Sequence, residues 1–114
     1  MPQKLDEPAT FKIFDRDINQ ETALALKSSL ALAVDTEAMG LIHGRDRLCL
    51  IQICDELDNI ICIRIEKNQN SAPNLKLILE EQTIEKVFHF ARFDVAALAS
   101  NLNIEVNPIF CTKI

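Results

Sequence analysis

Two acidic residues close an apolar run, and a third acid follows much later in the chain. Asp35 and Glu37 end the run LALAVDTE, and Asp94 ends the segment HFARFD. A β-strand projects residues i and i+2 from one face, so Asp35 and Glu37 point one way and Thr36 the other. Carboxylate oxygens suit Mg²⁺ or Mn²⁺, and two such ions about 3.5–4 Å apart can promote phosphodiester hydrolysis. The three acids therefore predict a metal site that cleaves nucleic acid.

Length and charge limit the choice of protein class. The chain has 114 residues, of which 48% are hydrophobic, enough for a single core. A net charge of −5 argues against a protein that holds nucleic acid by a broad basic surface. A metal site would account for part of this acidity. Four cations could meet phosphates or could equally be solvated surface charges: Arg45, Arg47, Arg92 and Lys113.

The cysteines and the apolar segments indicate an intracellular protein. Cys49, Cys54, Cys62 and Cys111 show no paired C-x-x-C spacing, and we expect buried free thiols without disulfides. No apolar run approaches the roughly 20 residues of a membrane span, and the first residues lack a secretory signal. We therefore expect a cytoplasmic protein with no membrane partner.

Apolar periodicity predicts the elements that must position the acids. Asn19 is expected to cap a first helix that buries Ala23, Leu26 and Leu30, and Asp94 is expected in the first turn of the last helix. The predicted elements are strands at 11–14, 30–37, 48–54, 60–65 and 86–90, with helices starting near residues 19, 73 and 91. This order predicts an α/β domain, a mixed sheet flanked by helices, at 11–114 after a flexible lead-in at 1–10.

Two segments resemble the first two exonuclease motifs of ribonuclease D: VDTEAMGL and VFHFARFD. That family belongs to the DEDD 3′-to-5′ exonucleases, so the resemblance implies a ribonuclease H-like mixed sheet. It also implies two-metal hydrolysis at RNA 3′ ends, with Asp35, Glu37 and Asp94 as catalytic metal ligands for two Mg²⁺ or Mn²⁺ ions.

The same resemblance implies a substrate pocket and a partner. The residues implied to contact the 3′-terminal nucleotide are Thr36, Met39, Gly40, Leu41, His89 and Phe90. His89 and Phe90 occupy the place where family members often carry His-Asn, so Phe90 departs from that pattern. The implied partner is the 3′ end of a single-stranded nucleic acid, RNA rather than DNA.

The third family motif, a Tyr or His followed by a fourth Asp, would lie on a helix beyond residue 114, and the chain contains no tyrosine. We therefore expect a partial exonuclease domain, its carboxy-terminal helices missing, with weak or no activity as an isolated monomer. Two alternatives stay open. One is a non-catalytic module on the same fold that binds nucleic acid or a protein. The other is a homo-oligomer that forms through the surface left by the missing helices.

Overall fold

The computed structural model describes residues 10–39 and 46–112. Six strands and three helices make up this part of the chain. The elements are β1 (Thr10–Asp15), α1 (Gln20–Leu26), β2 (Ala31–Ala38), β3 (Leu48–Asp55), β4 (Asn59–Arg64), α2 (Pro73–Leu79), β5 (Glu85–Phe88), α3 (Ala91–Leu102) and β6 (Ile109–Cys111).

All six strands form one mixed sheet in the order β1-β4-β3-β2-β5-β6. The β2, β3 and β4 strands pair antiparallel in the centre, and β1, β5 and β6 add parallel pairs at the two sides. The predicted mixed sheet and its central hairpin are confirmed. Strand β2, which carries two of the acids, therefore lies inside the sheet, where neighbours on both sides fix its backbone.

Local signals in the sequence start two of the helices. The side chain of Asn19 accepts a hydrogen bond of 2.8 Å from the backbone N–H of Thr22, as an N-cap does. Pro73 opens α2, where its fixed φ suits the first turn. Helix α3 starts differently, because its N-cap residue Phe90 makes no side-chain capping hydrogen bond. Its geometry is part of the candidate site.

The helices cover one face of the sheet. The buried residues of α1, α2 and α3 join one apolar cluster with those of this face, among them Leu32, Val34, Ile51, Ile53, Ile61 and Ile63. No described helix covers the opposite face, which we call the open face. There Phe11, Ile13 and Phe110 are 57%, 54% and 53% exposed. Antiparallel pairs such as those at the centre of this sheet commonly have one face in water, whereas parallel pairs are usually covered on both faces.

Three sequence expectations are wrong in detail. Helix α1 ends at Leu26, so Leu30 lies outside it and is exposed instead of buried. The four cysteines are free, as predicted, but all are only partly buried, because strand alternation places thiols such as those of Cys54 and Cys62 on the open face. Strand β5 stops at Phe88, so His89 and Phe90 belong to the turn into α3.

A buried lysine ties β5 to its surroundings. Lys86 is fully buried, and its Nζ donates hydrogen bonds to the carbonyl oxygens of Glu81, Ile84 and Asn107. The first two carbonyls lie between α2 and β5, and the third precedes β6. Because one ammonium group joins both segments, it fixes β6 beside β5. No helix in the described part of the chain is long and apolar enough to cross a membrane.

Candidate functional site

Strand β2 presents Asp35 and Glu37 on the open face. The two acids are exposed, whereas Thr36 between them is buried on the helix-covered face. Alternation along the strand therefore separates them as the sequence predicts. Among residues 10–39 and 46–112, neither carboxylate accepts a hydrogen bond or forms an ion pair. Two neighbouring unpaired acids at the end of a central strand provide oxygen donors that a cation could use.

Helix α3 brings Asp94 to the other side of the same strand. Asp94 lies in the first turn of α3, is 6% exposed, and accepts a hydrogen bond through Oδ1 from the hydroxyl of Thr36. Burial raises the pKa of Asp94 because the charged carboxylate is poorly solvated, and the Thr36 hydroxyl partly offsets this by stabilising the charge. The negative charges of Asp35 and Glu37 raise that pKa further. The three predicted acids thus form one electrostatic neighbourhood.

Hard divalent cations suit this donor set chemically, because all its candidate ligands are carboxylate oxygens that repel one another without a counter-ion. The positions of these side chains in the structure are less favourable for binding one metal ion. Within the described residues, no three Asp, Glu, His or Cys side chains lie close enough together to hold one metal ion. The reason is that the Asp94 carboxylate turns toward Thr36 while Asp35 and Glu37 face the open side. The role of these acids as metal ligands stays a prediction.

The turn between β5 and α3 holds His89 in a fixed orientation. His89 Nδ1 lies 3.0 Å from Thr112 Oγ1, and that hydroxyl lies 3.2 Å from the carbonyl oxygen of Phe88. If the Thr112 hydroxyl donates to that carbonyl, it accepts from the N–H of His89 Nδ1. This chain of hydrogen bonds fixes the orientation of the His89 ring.

Phe90 has left-handed backbone angles, with φ 57° and ψ 61°. Asn adopts this conformation more readily than other non-glycine residues, which gives a physical reason for an Asn at this place in the family pattern. Phe90 keeps the turn but replaces the polar side chain by a ring that is 55% exposed. The next backbone N–H, that of Ala91, donates to Cys111 Sγ at 3.3 Å, so β6 supports the start of α3.

A groove runs along the open face beside Asp35. Its volume is about 400 Å³, and it lies between β3, β2, β5 and the end of β6. Gln52, Asp35, His89 and Thr112 supply polar groups, while Ala33 and Val87 contribute apolar surface. Met39, beyond the end of β2, is exposed and does not line this groove.

The sequence reasoning missed Gln52, Thr112 and Cys111. Gln52 could have been found, because Asp35 and Gln52 are direct partners in the β2–β3 register and share a face. Thr112 and Cys111 could not, because their roles depend on β6 pairing with β5. Among predicted residues, Gly40, Leu41, Arg45 and Lys113 lie outside the described part. The guanidinium group of Arg47 is engaged within the fold, since its Nη1 donates a hydrogen bond of 2.9 Å to the carbonyl oxygen of Ile65.

Comparison with known proteins identifies the family and the fold of the chain. A sequence profile described as 3′-5′ exonuclease matches residues 11–114. No curated protein matches the sequence. Among solved structures, Brucella melitensis NrnC with bound Mg²⁺ is 40% identical over 90% of this chain and 50% of that chain, with a TM-score of 0.83. The same protein bound to pGG is also 40% identical, over 90% of this chain and 49% of that one, with a TM-score of 0.83.

A more distant structure shares the fold. Escherichia coli RNase D, an exoribonuclease involved in structured RNA processing, is 24% identical over 81% of this chain and 24% of that chain, with a TM-score of 0.67. The chain spans about half the length of the NrnC structures that it matches. The profile match covers residues 11–114, which contain the mixed sheet and its flanking helices, and NrnC is 40% identical over 90% of this chain. The chain therefore belongs to the DEDD family of 3′-5′ exonucleases and has their ribonuclease H-like fold.

Proposed function

We propose that the chain contributes the first two acidic motifs of an exonuclease that removes nucleotides from RNA 3′ ends. The observation that carries this proposal is the arrangement of Asp35 and Glu37, two unpaired carboxylates on one strand face, electrostatically coupled to buried Asp94. NrnC structures that contain Mg²⁺ and pGG support a divalent ion and an RNA-like ligand for this chain too. The proposed cofactor is a pair of Mg²⁺ or Mn²⁺ ions.

In this proposal each acid has a distinct role. Asp35 and Glu37 would hold a cation through their exposed oxygen atoms, and Asp94, whose carboxylate accepts a hydrogen bond from Thr36, would provide the third carboxylate. Thr36 thus acts through Asp94, since its hydroxyl is bonded to that carboxylate and its side chain is buried. A divalent cation, when bound there, supplies Lewis acidity toward the scissile phosphate. Met39, His89 and Phe90 are proposed to contact the terminal nucleotide.

Calorimetric titration with Mn²⁺ tests the metal site directly. We expect Asp35→Asn and Glu37→Asn to abolish the binding heat of the wild-type chain, because each removes a charged ligand. Glu85→Gln is a matched control, since Glu85 is an exposed acid on the same sheet face at the start of β5. Unchanged Mn²⁺ binding by both Asn variants would count heavily against the assignment.

Degradation of 3′-labelled RNA with Mn²⁺ tests the reaction. We expect weak or no turnover by the isolated chain, since residues 1–114 carry three of the four acids of the family pattern. The loss of one member of a cooperating catalytic set commonly lowers the rate by orders of magnitude. Clear turnover that Asp35→Ala abolishes would overturn this expectation and establish the activity. Turnover that survives Asp35→Ala would indicate a contaminating nuclease.

A non-catalytic binding module is the second candidate function. The observation that favours it is the absence of a three-ligand metal group within the described residues. RNA binding that needs neither Mg²⁺ nor Mn²⁺, without cleavage, would support this candidate over the enzyme. Loss of RNA binding after chelation would support the enzyme.

We propose as a third candidate, which excludes RNA binding at Asp35 and Glu37 on the same face, that the open face mediates self-association. Six strands about 4.8 Å apart, with about 20 Å of length each, give a face on the order of 500 Å². That geometric area lies within the roughly 300–600 Å² of the largest exposed patch on a typical monomer and below the roughly 800 Å² per partner of a standard interface. Analytical ultracentrifugation should detect a dimer that Phe11→Glu dissociates. A monomer at all concentrations would refute this proposal.

A further inference from the structure

Strand β1 forms one edge of the sheet and is paired on one side. It pairs with β4, and no other strand within residues 10–39 and 46–112 pairs with it. An edge strand presents a row of backbone N–H and C=O groups on which a further strand can pair. The strand at the opposite edge, β6, has three residues, whereas β1 has six. β1 is therefore the longer of the two edges that a partner could extend.

A groove opens on the helix-covered side of β1, between this strand and α1. Its volume is about 580 Å³. Ala25, Leu26 and Ile61 contribute apolar surface to it, and Thr10 and Lys12 of β1 border it. Both of these β1 residues are exposed, so α1 leaves this side of the edge strand uncovered. The groove therefore lies directly beside the unpaired edge.

The ionisable groups of this groove are mainly acidic. Glu21, Asp55 and Glu56 are the acids among the described residues that line it, and Lys12 is the one cation. Asp55 and Glu56 accept hydrogen bonds from backbone N–H groups of the adjacent turns. Glu21 accepts no hydrogen bond and forms no ion pair in the described part of the chain. The groove thus has an excess of negative charge and an acid available to a cation.

The open face is apolar at the same edge. Phe11 and Ile13 are both more than half exposed there, and their partners in β4 are Ile60 and Cys62. Because side chains alternate along a strand, a strand added to β1 would place every second side chain against Phe11 and Ile13. The side chains between them would lie at the mouth of the acidic groove. The two sides of this edge therefore match apolar and cationic side chains, respectively.

We propose that β1 is a docking edge for an extended segment of a partner protein in which apolar residues alternate with Lys or Arg. The segment adds a strand to the sheet through main-chain hydrogen bonds. Its apolar side chains pack on Phe11 and Ile13. Its cationic side chains lay their apolar stems along Leu26 and bring their charged ends to Glu21. β1 lies three strands from β2 in the sheet, so this contact is independent of the proposed nuclease site.

A second copy of the chain fits this edge less well than a cationic segment does. Two β1 strands that pair with each other would bring together two grooves with the same negative excess. In the antiparallel register centred on Lys12, two like charges would also lie directly opposite each other. An alternating cationic segment avoids both repulsions and neutralises the groove.

Fluorescence anisotropy with a labelled peptide of sequence IRIRIR tests the docking edge. We expect this peptide to bind the wild-type chain. The peptide IEIEIE has the same apolar residues and the opposite charge, and it should bind about tenfold more weakly or not at all. A form of IRIRIR with N-methyl groups on both central residues should also lose about tenfold in affinity, because each edge of the peptide then lacks a donor.

Two variants with matched controls locate the contact. Glu21→Gln should weaken IRIRIR binding about two- to fivefold, the effect of one exposed ion pair. Glu105→Gln, at an exposed acid beyond α3, should leave it unchanged. Ile13→Lys should weaken binding about tenfold, because a charge of the same sign as the peptide replaces an apolar contact. Ile109→Lys places the same charge on the other edge strand and should have no effect.

Amide hydrogen exchange shows where the peptide lies, since amides in Thr10–Asp15 that face away from β4 should exchange more slowly in the complex. Thermal unfolding shows whether each variant is folded, and the N-methylated peptide tests the same contact on the wild-type chain. Equal binding of IRIRIR and IEIEIE, protection confined to residues outside β1, or no IRIRIR binding at about 1 mM would overturn the proposal. A wild-type dimer that Ile13→Lys dissociates and that excludes the peptide would also overturn it, because a second copy would then occupy the edge.

Discussion

Replacing Phe90 by Gly and by Ala isolates the backbone cost of the turn that starts α3. Both substitutions remove the ring, so they lose the same packing against His89. They differ at Cβ, which opposes the left-handed conformation by about 1–2 kcal/mol in Ala and not at all in Gly. Gly loses about 0.5–1 kcal/mol more backbone entropy on folding. The free energy of unfolding of the Gly variant should therefore be about 0.5–1 kcal/mol higher than that of the Ala variant.

Urea unfolding followed by circular dichroism measures this difference, and a thermal scan should show a melting temperature about 2–5 °C higher for the Gly variant. The same pair of substitutions at Phe11 is the control. Phe11 lies in the extended strand β1, where Ala should be the more stable variant. An Ala variant at Phe90 that is as stable as the Gly variant, or more stable, would refute the left-handed geometry and the strain argued from it.

Three further outcomes follow from the buried polar groups. Asp94→Asn should raise the free energy of unfolding at pH 7, because the raised pKa means that the ionised carboxylate destabilises the fold, and the gain in urea unfolding should shrink as the pH falls toward the ordinary value of 3.8. An equal gain at pH 4 and pH 7 would contradict this. Thr36→Val should lower stability at pH 7 by about 1.5–3 kcal/mol through loss of a hydrogen bond to a charged group, and by less in acid, as pH-dependent chemical denaturation can show. Lys86→Met should lower stability by about 2 kcal/mol at pH 7, because three carbonyl oxygens lose their donor. Burial lowers the pKa of Lys86 to about 8 from 10.5, so the unfolded wild-type chain binds more protons than the folded chain between these pH values. The wild-type free energy of unfolding should therefore rise with pH in that window, and the stability deficit of the Met variant should widen. A stability deficit that stays constant across the window would exclude this titration.

Features that depend on a few neighbouring residues were predictable. Asn19 caps α1 and Pro73 starts α2 as predicted, because each signal acts within one helical turn. The separation of Asp35 from Thr36 also follows from strand alternation alone. Leu30 was predicted incorrectly, since helical spacing continued past Leu26 in the sequence while the chain turned into β2.

The sequence by itself determined the acidic motifs, their spacing on one strand face and the mixed α/β order, because these depend on local periodicity and side-chain chemistry. Only the tertiary structure decided that Asp94 bonds to Thr36, that Phe90 adopts left-handed angles, and that Lys86 is buried among carbonyl oxygens. The Asp94 contact depends on which face of the sheet α3 covers, and the turn at Phe90 and the Lys86 contacts involve the segment that pairs with β5 as β6. The hydrogen bonds from Thr36 to Asp94 and from Lys86 to Asn107 join residues 58 and 21 positions apart, and their free energy depends on packing that no short segment encodes.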